Sequence, residues 1–352
     1  MFLKGNRKTG KYYFLFCFIG LVYSAQAQKG FALVDIPSEK KVEVRYNEQL
    51  LTAYCYFDST EKPVLFPIKT LSGVTITRGY PVAPRTGERT DHPHHLGLWM
   101  NYESVNGLDF WNNSTAIAPE KKPHYGSIRH QKILASQAKK EQASLETLSH
   151  WINPEGQVLL EEKTLFVFTK KDNDFIIDRI ASLEAKVPEV LFKDVKDGML
   201  AIRVAREMEM PSKESTKFVD GSGNVTTVPP LDNSNVTGMY KNREGINGDE
   251  IWGKRSQWAS LNGKKDGETI SIAIIDHPRN VGYPTYWHAR AYGLFAANPL
   301  GQKVFSNGKE ELNLTLKSGE KTIFRYRIII HSGSELDEAA LNQQAVQFSK
   351  LY

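Results

Sequence analysis

Cysteine is nearly absent from this chain: there are two in 352 residues, Cys17 and Cys55. Cys17 sits inside the apolar stretch near the N-terminus, which leaves Cys55 alone in the remainder. One cysteine cannot close an internal disulfide, so stability has to come from a packed core. Cys55 lies in the alternation Leu51-Thr-Ala-Tyr-Cys-Tyr-Phe57 and reads as a small buried hydrophobe rather than a nucleophile. Long hydrophobic runs are also missing. The longest, Tyr12 to Tyr23, is too short to span a bilayer, which excludes insertion through a helix of ordinary length. There is no Gly-rich phosphate loop and no βαβ spacing, so a doubly wound nucleotide fold is disfavoured. Gly-x-Ser-x-Gly, His-Glu-x-x-His and Cys-x-x-Cys motifs are absent as well.

The N-terminus carries an export signal. Lys4, Arg7, Lys8 and Lys11 precede the apolar run, and Ala25-Gln-Ala27 fits the small-x-small cleavage rule. Residues 1–27 are expected to be a signal peptide, and the mature protein to be periplasmic or secreted. Without these four basic residues the formal charge of +5 falls to about +1. The basic balance therefore belongs to targeting and gives no reason to expect nucleic acid as a partner.

From residue 28 to 352 the pattern is mostly β. Segments 31–35, 41–46, 50–57, 62–68, 157–169, 174–185, 199–205 and 269–275 run apolar or alternate, with turn signals every 8–15 residues. Residues 311–317 and 321–331 predict a closing hairpin across Ser318-Gly-Glu320. Leu336, Ala340, Leu341, Val346 and Phe348 predict one C-terminal helix, with Ser334 as cap and Asp337 completing a capping box. The polar segments 101–126 and 212–253 are too long for connectors and predict loops over a site. The expectation is one all-β domain. It is a large antiparallel sandwich with long polar loops over one face, a helix on the outside, and room for a small N-terminal β subdomain over 28–72.

The chemistry concentrates in two stretches. Asp91-His-Pro-His-His95 places three of nine histidines in four positions, followed by Trp99, Asn106, Asp109 and Trp111. If Pro93 holds the segment extended, His92 and His94 face one way and His95 the other. Such imidazoles can act as acid and base near neutral pH, with Asp91 or Asp109 orienting them. Alternatively, His92 and His94 with His288 can bind a divalent transition metal. The second stretch repeats Asp-His-Pro at 276–278 and continues through Trp287, His288, Arg290, Tyr292 and Asn298. Aromatic faces beside polar groups suit a pyranose, whose C–H face stacks while its hydroxyls hydrogen-bond. An aromatic core accounts for Phe295 and Tyr292, but poorly for Trp287-His-Ala-Arg290. His277 completes that stretch. Arg203, inside an apolar strand, needs a carboxylate or a substrate as partner. Lys193, Asp194, Asp197, Glu207 and Glu209 read as salt-bridging residues.

Asp91-His-Pro-His-His-Leu-Gly-Leu-Trp99, Val105-Asn-Gly-Leu-Asp-Phe-Trp111, Gly198-Met-Leu-Ala-Ile-Arg-Val204, Trp252-Gly-Lys-Arg255 and 284–301 together resemble the PmoA-like family of exported bacterial proteins. Ala291 departs from that pattern, where an acidic residue is expected after Arg290. The methane oxygenase in the family's name has several spanning helices; this mature chain has none, so that activity is not carried over. The family is uncharacterised but common in polysaccharide degraders. The resemblance therefore implies a sugar or oligosaccharide partner, and similarity to the galactose-mutarotase supersandwich implies histidines and a carboxylate in a β cleft. Three functions follow: a cofactor-free hydrolase, lyase or epimerase acting on a glycoside, a metal-dependent enzyme, or a non-catalytic glycan-binding module.

Overall fold

The computed structural model describes residues 1–5, 29–212, 216–219, 225–228 and 232–352. The cleavage segment of the expected signal peptide lies outside these residues. The strands in chain order are β1 (Phe31–Ile36), β2 (Lys41–Tyr46), β3 (Gln49–Cys55), β4 (Val64–Ile68), β5 (Leu98–Tyr102), β6 (Ser127–Ala138), β7 (Gln142–Ile152), β8 (Val158–Lys171), β9 (Asp174–Ala185) and β10 (Glu189–Phe192). They continue as β11 (Gly198–Arg203), β12 (Thr216–Val219), β13 (Val225–Val228), β14 (Met239–Asn242), β15 (Trp258–Lys265), β16 (Glu268–Asp276), β17 (Tyr286–Arg290), β18 (Leu294–Asn298), β19 (Leu314–Lys317) and β20 (Lys321–Ser332). A short α1 (Gln302–Phe305) follows β18, and α2 (Glu338–Phe348) follows β20.

Two eight-stranded antiparallel sheets form a sandwich. The first runs β1-β2-β3-β4-β5-β11-β18-β17, and the second β14-β15-β16-β20-β9-β8-β7-β6. Their facing sides bury one large apolar cluster, including Met100, Leu200, Ile202 and Phe295 from the first sheet and Phe166, Ile177, Ile272 and Ile328 from the second. The period of two puts alternate residues on the opposite face. On β5, β11 and β18 those outward residues are Trp99, Ala201, Leu294 and Ala296, which make a second cluster under the loops. Among the described residues, no helix is long and apolar enough to cross a membrane.

The structure corrects two local expectations. β19 does not pair with β20; it pairs with β10 in a separate two-stranded ribbon, while β20 lies between β16 and β9 in the second sheet. Ser318–Glu320 still turns the chain, with the Glu320 amide donating to the Lys317 carbonyl at 2.8 Å, but the two strands it joins lie in different sheets. At α2 the cap is Asp337, whose side chain accepts from the Ala340 amide at 2.6 Å. Ser334 lies one turn too early. The helix seats Leu341, Ala345 and Phe348 on Trp258, Ala273, Ile275 and Ile329 of the second sheet's outer face, and Val346 is exposed.

Candidate functional site

The outward face of the first sheet carries the candidate site. Register places Trp99 opposite Ala201, Ala201 opposite Ala296, and Ala296 opposite His288. Adjacent strands stand about 4.8 Å apart, so this row is roughly 14 Å long with two methyl groups at its centre. The neighbouring row runs Arg203, Leu294, Arg290.

Residues 89–95 fold over one end of these rows, organised by a side chain whose role the sequence reading missed. Arg78 is 1% exposed, and its guanidinium donates to the carbonyls of Arg89 (3.2 Å), Asp91 (2.7 Å), His92 (2.8 Å) and His95 (2.8 Å). It also pairs with the Asp91 carboxylate at 3.0 Å. Arg203, fully buried, reaches the same Asp91 oxygen at 2.8 Å, which is the carboxylate partner its strand position called for. The other Asp91 oxygen sits 2.6 Å from His92 Nδ1. Burial alone would raise the Asp91 carboxyl, but the His92 hydrogen bond and the two guanidinium charges more than offset it and hold Asp91 well below the usual carboxylate range.

The histidines are arranged differently from the extended reading. His92 has φ +47°, and the His95 amide donates to the His92 carbonyl at 3.0 Å, so 92–95 is a β-turn with Pro93 at its first corner. The turn brings His92 and His95 face to face (4.7 Å, 2°), and His94 is the outlier, edge-on to His95 at 4.3 Å. Gly97 makes the exit possible. Its φ is +59°, and a Cβ there would stand 2.2 Å from the Leu65 carbonyl oxygen.

His95 is 1% exposed and receives an Arg203 hydrogen bond on Nδ1 at 3.1 Å. Arginine only donates, so the His95 proton is on Nε2. Burial first, then neighbouring positive charge, pushes both His94 and His95 far below the usual histidine range. His92 is the accessible member, with 40% of its side chain exposed, and its ring stacks on Tyr292 at 5.0 Å. Tyr292 also lies under Arg203 (4.8 Å) and Arg290 (6.0 Å). Trp99 and Trp111 pack behind His95 at 5.2 and 5.9 Å.

At the other end of the alanine row, His288 Nδ1 stands 3.3 Å from Asp197 Oδ1, without hydrogen-bond alignment. Burial, then Lys196, Arg290 and His92, push His288 down to about 3, so it is neutral at ordinary pH. The Asp197 carboxyl is raised, by burial and by nearby Asp109. Glu103, which accepts from the Asp197 amide at 3.1 Å, is raised by burial and by Asp197. Two carboxylates of one site are thus pushed in opposite directions, Asp91 down and Asp197 up. Such divergence suits an acid and a base working together. Lys62, another residue overlooked in the sequence, is buried against Trp99 (5.4 Å), donates to the His94 carbonyl at 2.7 Å, and is pushed down by burial to about 7.

Asp91, His92, His94, His95, Trp99, Trp111, Arg203 and Tyr292 thus form one cluster, with Arg290 and His288 beside it. Four expected residues lie elsewhere. His277 bonds the Leu351 carbonyl at 2.9 Å and packs on Phe348, under α2 on the other sheet. Trp287 points into the inter-sheet core and donates to the Ser256 carbonyl at 3.2 Å, because the strand period turns it inward while His288 turns outward. Asn106 sits in a turn and bonds the backbone of Glu189 and Leu191. Asn298 supports the loop before Asp197 by donating to the Val195 and Lys196 carbonyls. Asp109 is marginal: its carboxylate caps Asn112, and burial raises it. Among the described residues no three His, Cys, Asp or Glu side chains converge as metal ligands, so His92, His94 and His288 do not form the ligand set considered from sequence. Arg78 carried the same signal as Arg203, a charge in an apolar segment (Ile76-Thr-Arg78), and could have been found by the same reasoning. Asp197 had been assigned only a salt-bridging role.

A model of the family of unknown function DUF6807 matches residues 41–346, and the chain belongs to that family. Its unknown function agrees with what the PmoA-like resemblance implied. No curated protein matches the chain. Among solved structures, the chain resembles the α-galactosidase AgaB from Geobacillus stearothermophilus (TM-score 0.40, 12% identity, 86% of this chain and 41% of that one). It also resembles a β-arabinopyranosidase (0.30, 13%, 88% and 40%) and the protein Slr1438 from Synechocystis (0.34, 8%, 87% and 97%). The chain spans about two fifths of the two glycosidases. Likenesses at this level carry no inference about activity.

Proposed function

We propose that this member of the DUF6807 family is an exported enzyme performing acid–base chemistry on a sugar or glycoside. The observation that carries this reading is the Asp91–His92 dyad: a 2.6 Å contact in which a carboxylate, pinned by two buried arginines, fixes an accessible imidazole. Asp91 accepts the proton on Nδ1, so His92 offers Nε2 as a base, and the ionised carboxylate stabilises the imidazolium that forms. Asp197, with its raised carboxyl, is the complementary acid across the alanine row. Tyr292 supplies a ring face and the exposed Arg290 supplies hydrogen-bonding groups, while neutral His288 lies buried beside Asp197. The two alanine methyl groups are buried beneath this layer; the ring face of Tyr292 beside charged groups suits the apolar face and hydroxyl edge of a pyranose. Hydrolysis, elimination and epimerisation all draw on this acid–base pair.

The test is turnover on a panel of aryl glycosides, uronides and reducing sugars. His92→Ala and Asp197→Asn should each lower kcat about 100- to 10,000-fold. His277→Ala, remote from the face, should leave kcat unchanged. Sugar binding without turnover, at an affinity indifferent to His92→Ala, would instead make this face a glycan-binding surface.

A further inference from the structure

A second set of reactive side chains stands on the outer face of the other sheet. His331, near the end of β20, lies opposite Asp174, the first residue of β9. Asp174 Oδ1 is 2.6 Å from His331 Nδ1, and His331 Nε2 is 2.9 Å from Ser334 Oγ. A carboxylate only accepts, so Nδ1 holds the proton and Nε2 is left to accept from the Ser334 hydroxyl. This is the connectivity of a nucleophile, its base and the base's orienting acid. The chain order Asp–His–Ser is set by strand register rather than by a sequence motif, which is why no motif announced it.

The serine is held in place. The Gly333 amide donates to the Thr269 carbonyl at 2.9 Å, and the Leu336 amide to Ser271 Oγ at 3.0 Å, fixing the segment on either side of Ser334. His331 and Asp174 are 15% and 13% exposed at their side chains, whereas Ser334 is exposed. The base is sheltered and the nucleophile is open. The amides of Ser334 and Glu335 lie beyond the last ladder pair of β20 and before α2, and Asn173 Nδ2 would stand 3.7 Å from a Cβ on Gly333.

We propose that Asp174, His331 and Ser334 form an acyl-transfer site that hydrolyses esters of short acyl groups. Ser334 Oγ attacks the ester carbonyl carbon while its proton passes to His331 Nε2. The tetrahedral intermediate collapses, the ester C–O bond breaks, and the departing alkoxide takes that proton and leaves as an alcohol. Water then attacks the acyl-serine through the same base, releasing the carboxylic acid and restoring the hydroxyl. The surroundings of Ser334 (Ser332, Gly333, Glu335) are small or polar, and Leu336 packs against the apolar cluster beneath α2, which favours an acetyl-sized group. The proposal is independent of the chemistry on the first sheet.

The full chain would be treated with a fluorophosphonate probe and mapped by peptide mass spectrometry, with p-nitrophenyl acetate hydrolysis measured alongside. The expected result is one adduct at Ser334, lost in Ser334→Ala, and a labelling rate lowered about 100-fold or more in His331→Gln and Asp174→Asn. Ser334→Ala truncates an exposed side chain, and matching circular dichroism spectra separate loss of reactivity from loss of fold. No adduct at Ser334, or a labelling rate indifferent to His331→Gln, would overturn the proposal and leave Ser334 as a structural partner of His331.

Discussion

Asp91→Asn isolates the electrostatics of the candidate site with almost no change of shape. The native carboxylate faces Arg78 at 3.0 Å, Arg203 at 2.8 Å and His92 at 2.6 Å, and both guanidinium groups are essentially fully buried. Removing the negative charge leaves two buried cations next to each other without their shared counter-ion. Breaking a buried ion pair typically costs 3–5 kcal/mol, and the amide keeps one acceptor oxygen, so about 3 kcal/mol of unfolding free energy should be lost at pH 7. The pH dependence fixes the cause. The folded Asp91 carboxyl lies below its unfolded value of about 3.9, so its contribution is fully present above about pH 4. As pH falls below 4 the native protein should lose that advantage at about 1.4 kcal/mol per unit, while the variant has nothing to lose there. Urea unfolding at pH 7, 5, 4 and 3 reads both quantities. The gap should shrink below pH 4. A variant as stable as the native protein at pH 7, or a gap that stays the same down to pH 3, would refute this account of how the dyad is held.

Lys62 titrates in the opposite sense. Its folded value, pushed down by burial to about 7, lies below the unfolded value of about 10.4, so the unfolded chain holds the extra proton in between. Stability should therefore rise from pH 7 to 9, by about 2 kcal/mol, and this rise should be missing in Lys62→Met when both are unfolded in urea. Phe348→Ala removes the aromatic that fills the space between α2, His277 and Arg327, and should cost about 3–5 kcal/mol in the same measurement. The Cys55 thiol, 1% exposed and pushed up by burial to about 12, should resist a thiol reagent in the native protein and react after unfolding, as peptide mapping of the labelled site would show.

The alternation of apolar residues in segments such as 41–46 and 174–185 made the strands legible, because burial on one face writes a period of two into the sequence. Pairing was not legible. Nothing local says that β19 joins β10 across more than a hundred residues, or that β20 leaves its sequence neighbour for β9 and β16. Histidine density marked residues 91–95, but the geometry there depended on His92 adopting a left-handed backbone, a choice stabilised by Arg78 reading four carbonyls between residues 89 and 95. That contact is long-range and leaves no trace in residues 91–95. Period also explains the error at Trp287: the aromatic and the histidine next to it are one residue apart on a strand, so they cannot face the same side. The Asp174–His331–Ser334 set was illegible for the same reason as the β19 pairing, since it is assembled by register between distant strands.

The first sheet separates two kinds of positions on the same strands. Leu200, Ile202, Phe295 and Ala297 face the other sheet, and Ala201, Arg203, Leu294 and Ala296 face outward. Changes to one set do not require repacking of the other. Substitutions at 201 or 296 therefore act on the buried layer of Trp99 and Trp111 beneath the histidine turn while the inter-sheet core stays fixed. Sequence divergence within the family should then be uneven along each strand, residue by residue, with the two faces varying independently.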